Sequence, residues 1–181
     1  YYSDFDPDLV LVHGDTNTAM ASSLAAFYQK IPIGHVEAGL RTHNKFSPFP
    51  EEFNRRLIAL NADYHYAPTK IARNNLIKEG INRKNIILTG NTVIDSLMII
   101  RDSILSDKTE FLSLKNRFFN LIGFDVTNEK YILITAHRRE NYSGIKDICI
   151  SIKELALNNP KVRFIFPVHL NPKIKEVVYK G

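Results

Sequence analysis

The chain has 181 residues, of which 44% are hydrophobic and 24% are charged, a composition typical of globular proteins. Its length suits one domain, or one domain with part of another. The net charge of +5 is dispersed, and aromatic residues do not alternate with basic ones, so we expect no nucleic-acid partner. No apolar run approaches a membrane span and no secretory signal is visible, so we expect no membrane association. The single cysteine, Cys149, fits a reducing compartment, and we expect a cytoplasmic protein.

The first hundred residues alternate between apolar strands and amphipathic helices. Residues 9–12 (Leu-Val-Leu-Val) form a continuous apolar run, typical of a parallel strand that is buried on both faces. Further strands are predicted at 31–36, 64–67 and 86–88. Helices are predicted at 18–30, from 51 to about 61, from 68 to about 80, and from 93 to about 105. The short connections indicate a parallel sheet covered by helices on both faces.

Residues 107–128 interrupt this alternation, since they are polar, partly helical and without a predicted strand. The alternation then resumes, with strands at 130–135 and 162–167, a helix at 145–158 and a helical start after Pro172. We therefore predict two doubly wound, Rossmann-like domains. Residues 1–112 would form the C-terminal part of the first domain, followed by a linker to about 128, and residues 129–181 would begin the second.

Five titratable side chains fall at or just after the carboxyl ends of predicted strands: His13, Asp15, Glu37, His137 and His169. In parallel α/β folds these strand ends form the edge at which ligands bind. The first three belong to the first predicted domain and the last two to the second. A cleft between the two domains would bring both sets together, so we predict a site there.

The acidic residues near this edge also have purely structural interpretations. Asp15 could cap the helix that follows it, because aspartate is a favoured N-cap residue. Glu51 and Glu52 could serve only the first turn of their helix, where the helix dipole favours acidic groups. Arg41 could be the structural partner of Glu37, because an unpaired buried carboxylate is costly. These alternatives stay open on the residues alone.

A compact cation cluster, His137-Arg138-Arg139, follows the first strand of the second predicted domain. Arginine forks match phosphate oxygens, although pairing with Glu140 would make this segment an ordinary surface loop. Cations facing carboxylates suggest that the cations hold an anionic leaving group while the carboxylates move protons. The sequence has no Gly-x-Gly-x-x-Gly, no Gly-Lys-Thr phosphate loop and no histidine or cysteine pair at metal-ligand spacing, so we expect neither a dinucleotide nor a metal.

Six motifs occur in order along the chain: His13-Gly-Asp-Thr, Ile33-Gly-His-Val-Glu-Ala-Gly-Leu-Arg-Thr, Pro50-Glu-Glu, Gly90-Asn-Thr-Val-Ile-Asp95, His137-Arg-Arg-Glu140 and Pro167-Val-His-Leu-Asn-Pro172. Together they closely resemble the bacterial non-hydrolysing UDP-N-acetylglucosamine 2-epimerases. The resemblance covers essentially the whole chain. It implies the two-domain GT-B fold, which is shared with a large class of nucleotide-sugar glycosyltransferases.

The resemblance also implies a reaction. UDP-N-acetylglucosamine (UDP-GlcNAc) would lose UDP to give 2-acetamidoglucal, and UDP would add back with C2 inverted to give UDP-N-acetylmannosamine (UDP-ManNAc). Elimination and re-addition involve no net redox change, so no cofactor or metal is expected. The resemblance further implies a homodimer and a role in polysaccharide biosynthesis.

Matching the motifs position by position assigns roles to particular residues. The implied catalytic residues are Asp15, Glu37, Glu51 and His137, without a decision on which carboxylate removes the C2 proton and which returns it. The implied substrate contacts are His13, Arg41, Arg138 and Arg139. A second, allosteric UDP-GlcNAc site would include Glu51, Arg138 and His169.

The chain departs from the family at both ends. It lacks the family's first strand with its Gly-Thr-Arg-Pro-Glu turn, and it stops before the Ser-Gly-Gly segment. We therefore expect both domains to be incomplete here, and residues 1–181 alone to lack epimerase activity and to be unstable or associated. The alternatives are a GT-B glycosyltransferase, a non-catalytic nucleotide-sugar-binding remnant and a hydrolysing epimerase that releases free ManNAc. Three carboxylates on one side of the cleft favour proton transfer at C2 over glycosyl transfer.

Overall fold

The computed structural model describes residues 2–136, 144–168 and 170–180, and the chain divides after Ile100 into two compact units. In chain order the elements are α1 (Tyr2–Phe5), β1 (Val10–His13), α2 (Asn17–Tyr28), β2 (Ile33–Val36), α3 (Glu51–Asn61), β3 (Tyr64–Ala67), α4 (Lys70–Lys78), a 3₁₀ turn (Arg83–Asn85), β4 (Ile86–Leu88), α5 (Thr92–Ser106), α6 (Lys108–Ile122), β5 (Tyr131–Leu133), α7 (Ile145–Asn158), β6 (Arg163–Ile165) and α8 (Pro172–Lys180). The predicted alternation of strands and helices is confirmed. The domain boundaries at 112 and 129 stay a prediction.

The first unit is built on one parallel sheet with the strand order β1-β2-β3-β4. Val10 lies beside Ile33, and His35 of β2 lies beside His65 of β3. Because all four strands run in the same direction, their carboxyl ends meet at one edge of the sheet. The segments that follow β1 and β2 are therefore neighbours.

One face of this sheet is covered by α2, α3 and α4. Two clusters of buried apolar side chains form the core beneath the helices. The first cluster comprises Val10, Val12, Ala19, Ala26, Ile33 and Ile58. The second comprises Ala38, Ala59, Ala67, Ala72, Leu76 and Ile86. His35 and His65 are buried on the same covered face, so the core contains two titratable rings.

The opposite face of the sheet is open among the described residues. Leu11 is 60% exposed, and Tyr64 and Ile87 are also exposed. The prediction that residues 9–12 are buried on both faces is therefore wrong for this structure: Val10 and Val12 are buried, and Leu11 is not. The reason is positional, because a strand alternates its side chains and the described helices that contact the sheet lie on one side of it.

The second unit contains a parallel pair, β5 and β6, in which Tyr131 lies beside Arg163, with α7 in the connection between the two strands. Before it, α6 starts after Asp107, whose carboxylate accepts hydrogen bonds from the N–H groups of Thr109 at 2.8 Å and Glu110 at 3.0 Å. That helix ends at Gly123, which has the left-handed φ of 77° typical of a C-cap glycine. Residues 107–128 thus hold a helix and no strand, as predicted.

Candidate active site

The turns after β1 and β2 lie against each other at the carboxyl edge of the first sheet. The N–H of Gly14 donates to the carbonyl of Val36 at 3.0 Å, and His13 lies beside Val36 in the register. Gly14 has φ 72°, a conformation that glycine adopts without strain. This arrangement places His13, the last residue of β1, next to Glu37, which follows β2.

His13 and Glu37 form the exposed part of this edge. Nε2 of His13 lies 3.6 Å from Oε2 of Glu37, and their side chains are 55% and 28% exposed. A Cβ on Gly14 would lie 3.4 Å from the same carboxylate oxygen, so the carboxylate rests close to the backbone of the first turn. Glu37 has φ 69°, and a left-handed backbone at a residue with a side chain costs about 1–3 kcal/mol. Such strain at a solvent-accessible carboxylate is typical of a functional position.

Asp15 is held by helix α3. Its Oδ2 accepts from Nη2 of Arg55 at 2.5 Å and from Nε at 3.2 Å, and its carbonyl accepts from Nδ2 of Asn54 at 2.8 Å. The N-cap of α2 is Thr16, whose hydroxyl oxygen accepts from the N–H of Ala19 at 3.1 Å. The helix-capping interpretation of Asp15 is therefore wrong, because the next residue occupies the cap and leaves the aspartate to face α3.

Glu52 lies directly beneath this network, and its side chain has 0% exposed surface. Its two oxygens accept from the N–H groups of Thr42 at 3.0 Å and His43 at 3.2 Å, and from Arg55 at 3.1 Å and Arg56 at 3.2 Å. Burial raises the pKa of Glu52, but the N–H groups and the two guanidinium groups outweigh burial and lower the pKa below its usual value. Glu52 does not cap α3; it ties the loop after β2 to the helix, and through Arg55 to Asp15.

Glu51 is the first residue of α3 and is only half-buried. It precedes Asn54 and Arg55, the two residues that contact Asp15, by one helical turn. The first turn of α3 therefore lies over the turn after β1. In that first turn the helix dipole favours the carboxylate.

Arg41 is paired with Glu79 rather than with Glu37. Its Nε donates to Oε1 of Glu79 at 2.8 Å, its Nη2 donates to Oε2 at 2.7 Å, and its Nη1 donates to the Leu40 carbonyl at 2.8 Å. The Arg41 side chain is 0% exposed. The interpretation of Arg41 as the partner of Glu37 is therefore wrong. The guanidinium group of Arg41 is directed to Glu79 at the end of α4. Arg41 therefore stabilises the turn after β2 and does not face solvent.

A buried histidine completes the support of the edge. Nε2 of His35 lies 2.8 Å from the carbonyl oxygen of Gly14. Burial lowers the pKa of His35 to about 4, an effect that the hydrogen bond to Gly14 only partly offsets. His35, Arg55 and Glu79 were not predicted as site residues, and Glu52 was predicted only as a possible first-turn residue of its helix. Arg55 had a signal, since it lies one helical turn after Glu51 and Glu52, but its partner Asp15 is 40 residues away.

The remaining predicted site residues belong to the second unit. His137, Arg138, Arg139 and His169 lie outside the described residues. Within the ranges that the structure covers, no cluster of histidine, cysteine and acidic side chains could hold a metal ion. The same ranges contain no helix with the length and apolarity required to cross a membrane.

Comparison with known proteins decides the family. The family model described as UDP-N-acetylglucosamine 2-epimerase matches residues 1–181. The chain belongs to the UDP-N-acetylglucosamine 2-epimerase family. A UDP-N-acetylglucosamine 2-epimerase from Neisseria meningitidis is 52% identical over 176 residues, which cover 97% of this chain and 46% of that protein.

Solved structures of the epimerase family share the fold. The crystal structure of the UDP-GlcNAc 2-epimerase from Neisseria meningitidis bound to UDP-GlcNAc matches with a TM-score of 0.90 and 51% identity, over 99% of this chain and 47% of that one. A co-structure of S. aureus MnaA with UDP matches with a TM-score of 0.84 and 42% identity, over 99% of this chain and 45% of that one. The predicted Rossmann-like α/β fold of the GT-B class is confirmed. The chain spans about half the length of these relatives.

Proposed function

We propose that the complete protein containing this chain interconverts UDP-GlcNAc and UDP-ManNAc by inverting C2. The observation that supports this most directly is the match of the epimerase family model to residues 1–181. The geometry adds a second support, because a pair of titratable side chains, His13 and Glu37, is accessible to solvent at the ligand-binding edge of a parallel sheet.

The proposed reaction has two halves. In the first, a carboxylate takes the C2 proton, the C2–H electron pair forms the C1–C2 double bond of 2-acetamidoglucal, and the C1–O bond breaks so that its electron pair leaves with UDP. In the second, UDP oxygen attacks C1 and an acid delivers a proton to C2 from the other face. Each half needs a proton carrier on its own side of the ring, and at least two proton-carrying groups are therefore required.

The residues of the first unit suit these tasks to different degrees. Glu37 is the best placed proton carrier, since it is accessible and has the titratable ring of His13 beside it. Glu51 is a further half-buried carboxylate near this edge. Asp15 is fixed by Arg55, so its role is to hold charge and orientation at the sugar. We propose that these three, with His137 stabilising the departing diphosphate, form the catalytic set.

The binding residues are proposed on the same basis. His13 would contact the substrate from the first unit, and Arg138 and Arg139 would hold the diphosphate as bidentate donors. The Arg41–Glu79 pair favours a supporting role for Arg41 in place of direct substrate contact. Glu51, Arg138 and His169 would contribute to a second, regulatory UDP-GlcNAc site, in a cytoplasmic homodimer of the complete protein.

Solvent labelling tests the reaction. The complete protein is incubated with UDP-GlcNAc in deuterated water, and both sugars are examined by NMR and mass spectrometry. We expect UDP-ManNAc to appear and deuterium to enter C2 of both sugars, because the proton removed at C2 exchanges with solvent. UDP-ManNAc without deuterium at C2 would contradict the elimination. Free ManNAc would indicate a hydrolysing enzyme, and transfer of the sugar to an acceptor would indicate a glycosyltransferase.

A further inference from the structure

Two histidines lie side by side in the core of the first unit. His35 of β2 and His65 of β3 are neighbours in the sheet register, and they are 0% and 1% exposed. Burial of the two imidazole rings costs free energy, because each ring brings polar nitrogens into an apolar environment. Each ring has an Nδ1 atom without a hydrogen-bond partner among the described residues.

The hydrogen bond of His35 assigns its protonation. A carbonyl oxygen only accepts, so the ring nitrogen that lies 2.8 Å from the Gly14 carbonyl must be the one that carries hydrogen. Nδ1 is then the nitrogen without hydrogen, which agrees with the absence of an acceptor for it among the described residues. The ring is therefore neutral and protonated on Nε2. The pKa of His35, lowered to about 4 chiefly by burial, keeps it in this form at neutral pH.

This bond fastens the turn after β1 to β2. Gly14 donates its N–H to the Val36 carbonyl at 3.0 Å and accepts from His35 through its own carbonyl. The backbone N–H and the carbonyl of Gly14 are thus both held by β2, the strand that precedes Glu37. The two neighbours of Gly14 are His13, which lies 3.6 Å from Glu37, and Asp15, which Arg55 contacts.

His65 offers a matched contrast. It is as deeply buried as His35, and burial likewise lowers its pKa. The backbone group that partly offsets this lowering of the pKa is that of Ala62, which precedes β3 and so lies at the opposite end of the strand from the site. The two rings share burial and register and differ in whether they contact the site.

We propose that His35 is a positioning residue that fixes the turn of His13, Gly14 and Asp15 against Glu37 through the Gly14 carbonyl. The proposal rests on the proposed epimerase function for its effect on turnover. Displacement of a reacting group by about 1 Å can cost on the order of a hundredfold in rate, so a single hydrogen bond that sets this spacing matters to catalysis.

The test compares three variants of the complete protein: His35→Leu, His35→Gln and His65→Leu. Leucine removes the hydrogen-bonding ring and keeps an apolar side chain, whereas glutamine returns an N–H donor at a reach similar to Nε2. The measurements are kcat and KM for UDP-GlcNAc, the unfolding midpoint, and amide hydrogen exchange of the peptide that contains residues 13–16.

We expect His35→Leu to lower kcat by about tenfold to a hundredfold with KM changed by less than about threefold, and to speed exchange in residues 13–16. His35→Gln should recover most of kcat and of the protection. His65→Leu should lower the unfolding midpoint about as much as His35→Leu, with kcat within about threefold of wild type.

Equal kcat values and equal exchange in His35→Leu and His65→Leu would overturn the proposal. Should His35→Leu fail to fold, His35→Gln and His35→Asn carry the same amide at different reach, and equal turnover of those two would overturn it instead. Absence of epimerisation by wild type would contradict the proposed function alone. The exchange of residues 13–16 would then still decide whether His35 holds the turn.

Discussion

The carboxyl edge of the first sheet has a buried layer and an exposed layer, and the two treat the same residue types differently. The buried layer comprises His35, Arg41 and Glu52, and the exposed layer comprises His13, Glu37 and Glu51. Glu52 has no exposed surface and accepts hydrogen bonds from two backbone N–H groups and two arginines. Glu37 is 28% exposed and lies 3.6 Å from one titratable ring.

The two layers differ in how fully their side chains are hydrogen-bonded, and this difference separates structural residues from residues that can react. A carboxylate whose oxygens are filled by fixed donors is held ionised and cannot readily exchange a proton. A carboxylate that faces solvent with a weak partner is free to take up and release one. Mutations in the buried layer should therefore change stability first, and mutations in the exposed layer should change turnover first.

The largest effect on stability is expected from Glu52→Gln. The amide keeps the shape but places an N–H₂ group against donors, and it leaves Arg55 and Arg56 without their buried partner. Loss of one member of a buried ion pair costs about 3–5 kcal/mol in the free energy of unfolding. Chemical denaturation of the complete protein measures this loss of unfolding free energy. The neighbouring variant Glu51→Gln is the control and should change by at most about 0.5 kcal/mol. Equal losses in both variants would remove the distinction between the layers.

A smaller change in the free energy of unfolding is expected when pH is lowered, because His35 titrates at different pH in the folded and unfolded chain. Its pKa is about 4 in the folded protein against an ordinary 6.5, so the unfolded chain takes up a proton first as pH falls. Stability is fully present above pH 6.5 and is lost as pH falls toward 4, at about 1.4 kcal/mol per pH unit. His65 and Arg41 near the ring lower its pKa further, and Asp15 raises it.

Denaturation at pH 7 and pH 5 measures this loss. From pH 6.5 to 5 the wild type should lose about 2 kcal/mol through His35, and His35→Gln should lose correspondingly less because the amide does not titrate. His65 contributes in the same direction to both proteins, so it cancels in the comparison. An identical loss in wild type and His35→Gln would show that the ring is not buried in its neutral form.

The smallest effect is expected at Arg55, which connects the two layers. Arg55 contacts Asp15 as well as Glu52, whereas Arg56 contacts Glu52 and is 41% exposed. Arg55→Gln should lower kcat/KM about tenfold, because Asp15 loses its orientation, equivalent to about 1.4 kcal/mol. Arg56→Gln, which removes an arginine from the same carboxylate, should leave kcat/KM within about threefold. Similar losses of kcat/KM in Arg55→Gln and Arg56→Gln would show that the effect arises from the lost contact with Glu52 and not from Asp15.

Local patterns explain why much of the fold could be predicted. The bounds of β3 and β4 agree with the prediction to the residue, and α3 and α7 lie where they were predicted, because each is marked by nearby proline, glycine or turn residues and a clear hydrophobic period. The first strand was predicted one residue early, at 9–12 in place of Val10–His13. Its apolar run begins before the parallel pairing with β2 does, and pairing is not visible in one strand alone.

Long-range contacts explain what could not be predicted. Arg41 pairs with Glu79 across 38 residues, and Asp15 pairs with Arg55 across 40. No local pattern distinguishes Glu51 from Glu52, because the direction of each side chain depends on where the loop after β2 returns to the helix. The strand-end positions of His13, Asp15 and Glu37 were predictable, since topology alone gathers such positions at one edge.

The proposed proton-carrying role of Glu37 is tested by the rate at which deuterium enters C2 of UDP-GlcNAc in the Glu37→Gln variant. Glutamine is nearly isosteric and cannot accept the proton as a carboxylate. We expect the rate to fall by about a hundredfold or more, with the unfolding midpoint unchanged. Glu110→Gln, an exposed residue of α6, is the control and should exchange at the wild-type rate. Exchange in Glu37→Gln within a few-fold of wild type would contradict the claim that the exposed carboxylate after β2 carries the proton.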